Sequence, residues 1–141
     1  MKLSPADIAF SQCVRAAADH RCIRCGIQKP PTNKRGSSGM DCSHVYGRRH
    51  RSIRWCKDNA KCLCTACHRW WHENPSDSGA WYLNIVGDGL MELLRQKRDS
   101  MVKTSKQEEK EIAKHYREQL KIIEQKRLDG ETGYIAFESW Q

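Results

Sequence analysis

Apolar residues recur at helical spacing at Ile8, Phe10, Cys13, Val14 and Ala17, directly after Ser4-Pro5-Ala6-Asp7. A capping serine, a proline at the first helical position and an acid three residues after the cap predict a helix from Pro5 to about Ala18. The pattern then breaks. His20 to Gly26 reads as a tight cysteine turn, and Pro30 to Gly39 as a polar loop rich in Gly, Ser and Pro. Met40 to Tyr46 is short and mixed enough for a strand, with Ser52 to Cys56 its expected partner across an Arg-rich connection. Thr65 to Glu73 predicts a short helix that Pro75 discourages from continuing.

The second half reads as helical. Trp81, Leu83 and Ile85 form an apolar stretch ended by Gly87, after which Asp88 can cap a helix bearing Leu90, Met91, Leu93 and Leu94. Ser105-x-x-Glu108 opens a highly charged helix to about Leu128, with Ile112, Tyr116, Leu120 and Ile123 on one face. That stripe suits either packing within the chain or a dimer interface. The tail from Asp129 is apolar for a terminus, with Tyr134, Ile135, Phe137 and Trp140. The expected class is therefore α+β, divided into a core over 1–75, a helical extension over 76–128 and a tail over 129–141.

Charge and cysteine placement sharpen this picture. The 141 residues hold 25 Lys+Arg and 17 Asp+Glu, a net +8, but residues 1–75 carry +9 and residues 76–141 carry −1. All eight cysteines also lie in the first half. No apolar run approaches the ~18 residues of a membrane span, and mean hydropathy is −0.81. The opening residues lead into a helix rather than a secretory signal, so a cytoplasmic setting with reduced thiols is expected. Cysteines there point to metal, and a basic, cysteine-rich region points to a metal-stapled fold facing a polyanion such as DNA.

Cys22-x-x-Cys25-Gly26 and Cys64-x-x-Cys67 are two pairs, each spaced to wrap two corners of a tetrahedron. Together they predict a closed, structural four-cysteine zinc site. The βαβ context of a redox Cys-x-x-Cys is missing, and Cys13, Cys42, Cys56 and Cys62 read as small buried apolar residues. Next to the second pair, His68 and His72 stand four apart and so share one helix face, able to grip one metal ion. On the expected first strand, alternation sets His44 apart from Asp41 and Ser43. The plainer alternative is a zinc-ribbon DNA-binding module without chemistry.

The order His44, Asn59, His68, His72, interleaved with the two cysteine pairs, resembles the HNH or ββα-metal (His-Me finger) nucleases braced by a four-cysteine zinc. Over residues 6–124 the chain more specifically resembles the phage Rap/NinG-type recombination nucleases. The resemblance implies that His44 is the general base, that Asn59 holds the loop and orients that base, and that His68 and His72 hold the catalytic Mg2+ or Mn2+. Family members often carry a metal-binding His or Asp directly before the base. Here Ser43 takes that position, and Asp41 is the substitute ligand. Arg48, Arg49, Arg51 and Arg54 are the expected phosphate contacts. The implied activity is hydrolysis of branched DNA such as Holliday junctions, in a homodimer, with nicking without branch preference as the other enzymatic reading.

Overall fold

The computed structural model describes residues 2–31 and 39–140; residues 32–38 of the expected polar loop lie outside them. Among the described residues the chain is an α+β protein of five α-helices and one two-stranded antiparallel sheet. Helix α1 (Pro5–Ala17) starts as its sequence dictates, in a reciprocal cap. Asp7 N donates to Ser4 Oγ at 3.2 Å, and Ser4 N donates to Asp7 Oδ2 at 2.9 Å.

Strand β1 (Met40–His44) pairs with β2 (Ala60–Cys64), opposing Met40 to Cys64 and His44 to Ala60. Val45 N to Asn59 O at 2.9 Å and Thr65 N to Gly39 O at 3.0 Å continue the ladder at its two ends. This corrects the expected pairing of Ser52–Cys56, and β1 stops short of Tyr46. Ile53, Arg54 and Trp55 are all buried. A half-exposed strand buries alternate side chains, whereas this segment is turn-rich chain wrapped inside the molecule, followed by one 3-10 turn at Lys57–Asn59.

β2 runs directly into α2 (Thr65–Glu73), which Cys64 caps. α3 (Pro75–Val86) restarts at the proline, α4 (Asp88–Arg98) follows Gly87, and α5 (Lys106–Leu128) starts at Ser105, whose side chain accepts from Glu108 N. Gly87 sits at φ +84°, a conformation a side chain would strain.

The α5 stripe packs inward. Ile112, Tyr116 and Ile123 are buried in one cluster with Ala6, Phe10 and Cys13 of α1, so this face is not available as a dimer interface. The tail docks on the same cluster: Ile135 N donates to Ala17 O at 3.0 Å, and Ile135 and Phe137 are buried. Phe10 meets Tyr116 and Phe137 edge-on at 5.0 and 6.5 Å between ring centroids, a favourable aromatic geometry. A second cluster joins Tyr82, Met91 and Leu94 of α3 and α4 to Ile53 and Cys56. No helix among the described residues is long and apolar enough to cross a membrane.

Candidate metal centre and active site

The two cysteine pairs meet. The sulfurs of Cys22, Cys25, Cys64 and Cys67 all lie within 4.8 Å of one another, and Cys25 Sγ is 3.7 Å from Cys64 Sγ. Four Zn–S bonds of ~2.3 Å at tetrahedral angles put sulfurs ~3.8 Å apart, so the cluster can hold a metal ion such as zinc. Local structure makes this geometry. Gly26 at φ +81° closes the first knuckle, with Gly26 N on Cys22 O at 2.9 Å, and Ile23 N on Cys62 O at 3.0 Å ties the knuckle to β2. Cys64 and Cys67 flank the N-terminus of α2, whose dipole favours thiolates. Burial opposes ionisation of Cys22, but backbone hydrogen bonds from Cys25, Cys64 and Arg24 outweigh it and bring the thiol down to about 7. Cys13, Cys56 and Cys62 are buried, as expected of apolar fillers, whereas Cys42 is only half-buried.

One turn into α2, His68 and His72 come together with Asp41. His68 Nδ1 lies 3.0 Å from Asp41 Oδ2, and His68 Nε2 lies 3.1 Å from His72 Nε2. With Asp41 accepting the Nδ1 proton, His68 keeps a lone pair on Nε2, the arrangement that orients metal-binding histidines. The 3.1 Å between the two Nε2 atoms is a hydrogen-bond distance that also falls in the ~3.0–3.4 Å range separating two nitrogens bonded at ~2.1 Å to one ion at ~90–109°; among the described residues only the four cysteines gather three or more potential ligands. Asp41 therefore stands behind His68 as its orienting carboxylate, not on the shared side where both Nε2 atoms face.

His44 has its own set of contacts. Its ring contacts Phe10 at 6.0 Å between centroids, and its Nε2 faces Arg54 O at 3.3 Å. Among the described residues no hydrogen bond or ring contact joins it to His68 or His72. Burial, then the nearby Arg48 charge, push its pKa down to about 4 against the opposing carbonyl hydrogen bond. The ring is thus neutral at pH 7, and a neutral ring whose Nε2–H donates to a carbonyl has its free lone pair on Nδ1.

Asn59 is fully buried and holds the connection over residues 45–59 from inside. It accepts from Tyr46 N at 2.9 Å and donates to Tyr46 O at 2.9 Å and Ile53 O at 3.1 Å. Other elements clamp the same connection: Tyr82 of α3 donates to Asp58 O, Tyr116 of α5 to Trp55 O, and Ser52 to Lys97 O of α4. Neither these clamps nor the Arg54 carbonyl left a sequence signal, because each meets backbone across a long separation.

The arginines divide. Arg54 is 5% exposed and forks onto Asp7 at 2.9 and 2.5 Å. This corrects its expected role as a phosphate contact: it is a structural cation. Arg51 bonds Glu109 at 3.0 Å, Arg49 is exposed and Arg48 half-buried. Sequence reasoning also passed over Arg24, which stacks on Trp70 at 3.6 Å and donates to Cys67 Sγ at 3.4 Å. Its place inside the first knuckle was the available clue. His115 of α5 bonds Glu138 O at 2.8 Å and helps seat the tail. Comparison of the chain with family models, curated proteins and solved structures finds no match.

Proposed function

We propose that the chain is a metal-dependent DNA endonuclease of the HNH type, an ββα-metal finger braced by a four-thiolate zinc. It hydrolyses phosphodiester bonds to 5′-phosphate ends and acts on branched DNA such as Holliday junctions in phage recombination. One observation carries the reading: on the helix that directly follows the hairpin, His68 and His72 aim their Nε2 atoms at one point, 3.1 Å apart, with Asp41 behind.

When bound there, Mg2+ or Mn2+ supplies Lewis-acid stabilisation of the phosphorane charge and of the departing 3′ oxygen. His44 is the base. Held neutral, with its tautomer set by the Arg54 carbonyl, it takes a proton from water on Nδ1 as the water oxygen attacks phosphorus. The P–O3′ bond breaks, and the phosphate stays on the 5′ end. Asn59 is a positioning residue, since it fixes the loop that carries the Arg54 carbonyl. Arg48 and Arg49 hold the incoming phosphate beside His44. A junction offers two strands to cut, so the branch-specific reading entails a homodimer, through a surface other than the α5 stripe.

A second reading is a zinc-braced DNA-binding module without hydrolysis. It is favoured by the separation of His44's contacts from those of the His68–His72 pair. Nicking of supercoiled plasmid in Mg2+ or Mn2+ decides between the two. The enzyme reading expects nicking by wild type and loss of at least about 100-fold in His44→Ala, in line with removal of a general base. Nicking by neither protein with either ion would favour the binding module, and equal nicking by both would remove His44 as the base. Synthetic four-way junctions should be cut faster than matched linear duplex; equal rates would leave a nicking enzyme without branch preference.

A further inference from the structure

The near-neutral balance of the second half conceals a segregated helix. At ~100° per residue, Lys106, Lys110, Lys114, Arg117 and Lys121 of α5 fall within an arc of ~80° along ~22 Å. All are exposed, and among the described residues none of their side chains has an ion-pair or hydrogen-bond partner. The acids lie elsewhere: Glu108, Glu111 and Glu118 take the far flank, Glu109 is engaged by Arg51 at 3.0 Å, and Glu124 ends the stripe. The third side is the buried face of Ile112, Tyr116 and Ile123. Like charges four apart on a helix repel by a few tenths of a kcal/mol each, a cost that a polyanion relieves.

The stripe also begins beside the arginine-bearing loop. The Arg51–Glu109 bond sets the start of α5 beside the loop bearing Arg48 and Arg49. There Lys106, Glu109, Lys110 and Arg117 line a groove against Ser4 and Pro5 at the start of α1, with the Glu109 carboxylate held by Arg51. We propose that this flank of α5 is a second nucleic-acid contact, holding the sugar–phosphate backbone of a duplex arm beyond the bond to be cut. The inference rests on the nuclease reading for naming DNA as the polyanion. It adds where a second arm of a branched substrate lies.

The test is the salt dependence of binding to a four-way junction without added divalent ion, for wild type, a combined Lys110→Gln/Lys114→Gln/Arg117→Gln variant and His68→Ala. The three replaced side chains are exposed, so the variant should melt like wild type. Loss of about three phosphate contacts should lower the slope of log K against log salt by about 2–3 and weaken binding about tenfold or more near 0.1 M salt. His68→Ala should bind as wild type does. An unchanged slope and affinity in the α5 variant overturns the inference whether or not the protein cuts DNA, and so does wild type that binds no junction. Binding that depends on α5 in a protein that cleaves nothing with any divalent ion upholds the inference and removes the nuclease reading.

Discussion

At the scale of single residues, chemistry is set by what each imidazole is denied. Packing around His44 and the nearby Arg48 charge disfavour its protonated ring and lower its pKa to about 4. A nuclear magnetic resonance titration should show it neutral down to about that pH, whereas a midpoint near its ordinary ~6.5 would contradict the burial described. Because the unfolded chain takes up this proton more readily, the stability His44 contributes is complete above its ordinary pKa and is lost as pH falls from there through about 4. The acid limb of any pH–rate profile that it governs lies correspondingly low. Asn59 is the opposite case, a neutral group meeting three backbone partners in the interior. Asn59→Ala should cost about 2–4 kcal/mol, since it leaves buried backbone groups unsatisfied; a urea midpoint within error of wild type would count against the clamp. His68, His72 and the four knuckle cysteines were legible because ligand spacing is local. The Arg54 carbonyl was not, because any residue has one.

Elements explain which predictions failed. Helices α1, α2 and α5 were readable from caps and periodicity, since those signals lie within a few residues of the structure they specify. The second strand was not. Ser52–Cys56 alternates like a strand, yet Arg54 points inward to Asp7, whose carboxylate also accepts from Trp55 Nε1 at 3.1 Å. A buried ion pair inverts the rule that polar side chains face outward. It also misassigned Arg54 to DNA. Burial raises the Asp7 pKa, but hydrogen bonds from Arg54 and Ser4 more than reverse this. The pair therefore stabilises above the ordinary carboxylate range and fails only as pH drops below it. Asp7→Ala, which strands the guanidinium, should cost about 3–5 kcal/mol in a denaturant melt while leaving the salt slope of DNA binding unchanged. A reduced slope would return Arg54 to the DNA surface. The zinc expectation is equally concrete. Purified protein should hold close to one zinc per chain, and Cys22→Ser should unfold the finger, so a folded, zinc-free preparation would contradict the four-thiolate brace.

For the whole molecule, helices distant in sequence hold one loop. α1 grips it through Asp7, α3 through Tyr82, α4 through the Lys97 carbonyl and α5 through Tyr116. The helical extension thereby becomes the scaffold of the segment that orients His44. The tail seals this assembly by burying Ile135 and Phe137. At ~1.5–3 kcal/mol per buried large side chain, truncation after Leu128 should destabilise by about 3–5 kcal/mol in urea, and an unchanged midpoint would make the tail dispensable. On the proposed reading His68 and His72 hold one cation and His44 serves as the base. Titrating zinc-loaded protein with Mn2+ and following the free ion by electron paramagnetic resonance tests it most directly. One bound Mn2+ is expected in wild type and in His44→Ala, and none in His68→Ala; no bound Mn2+ in wild type, or equal binding after His68 is replaced, would overturn the two-histidine site.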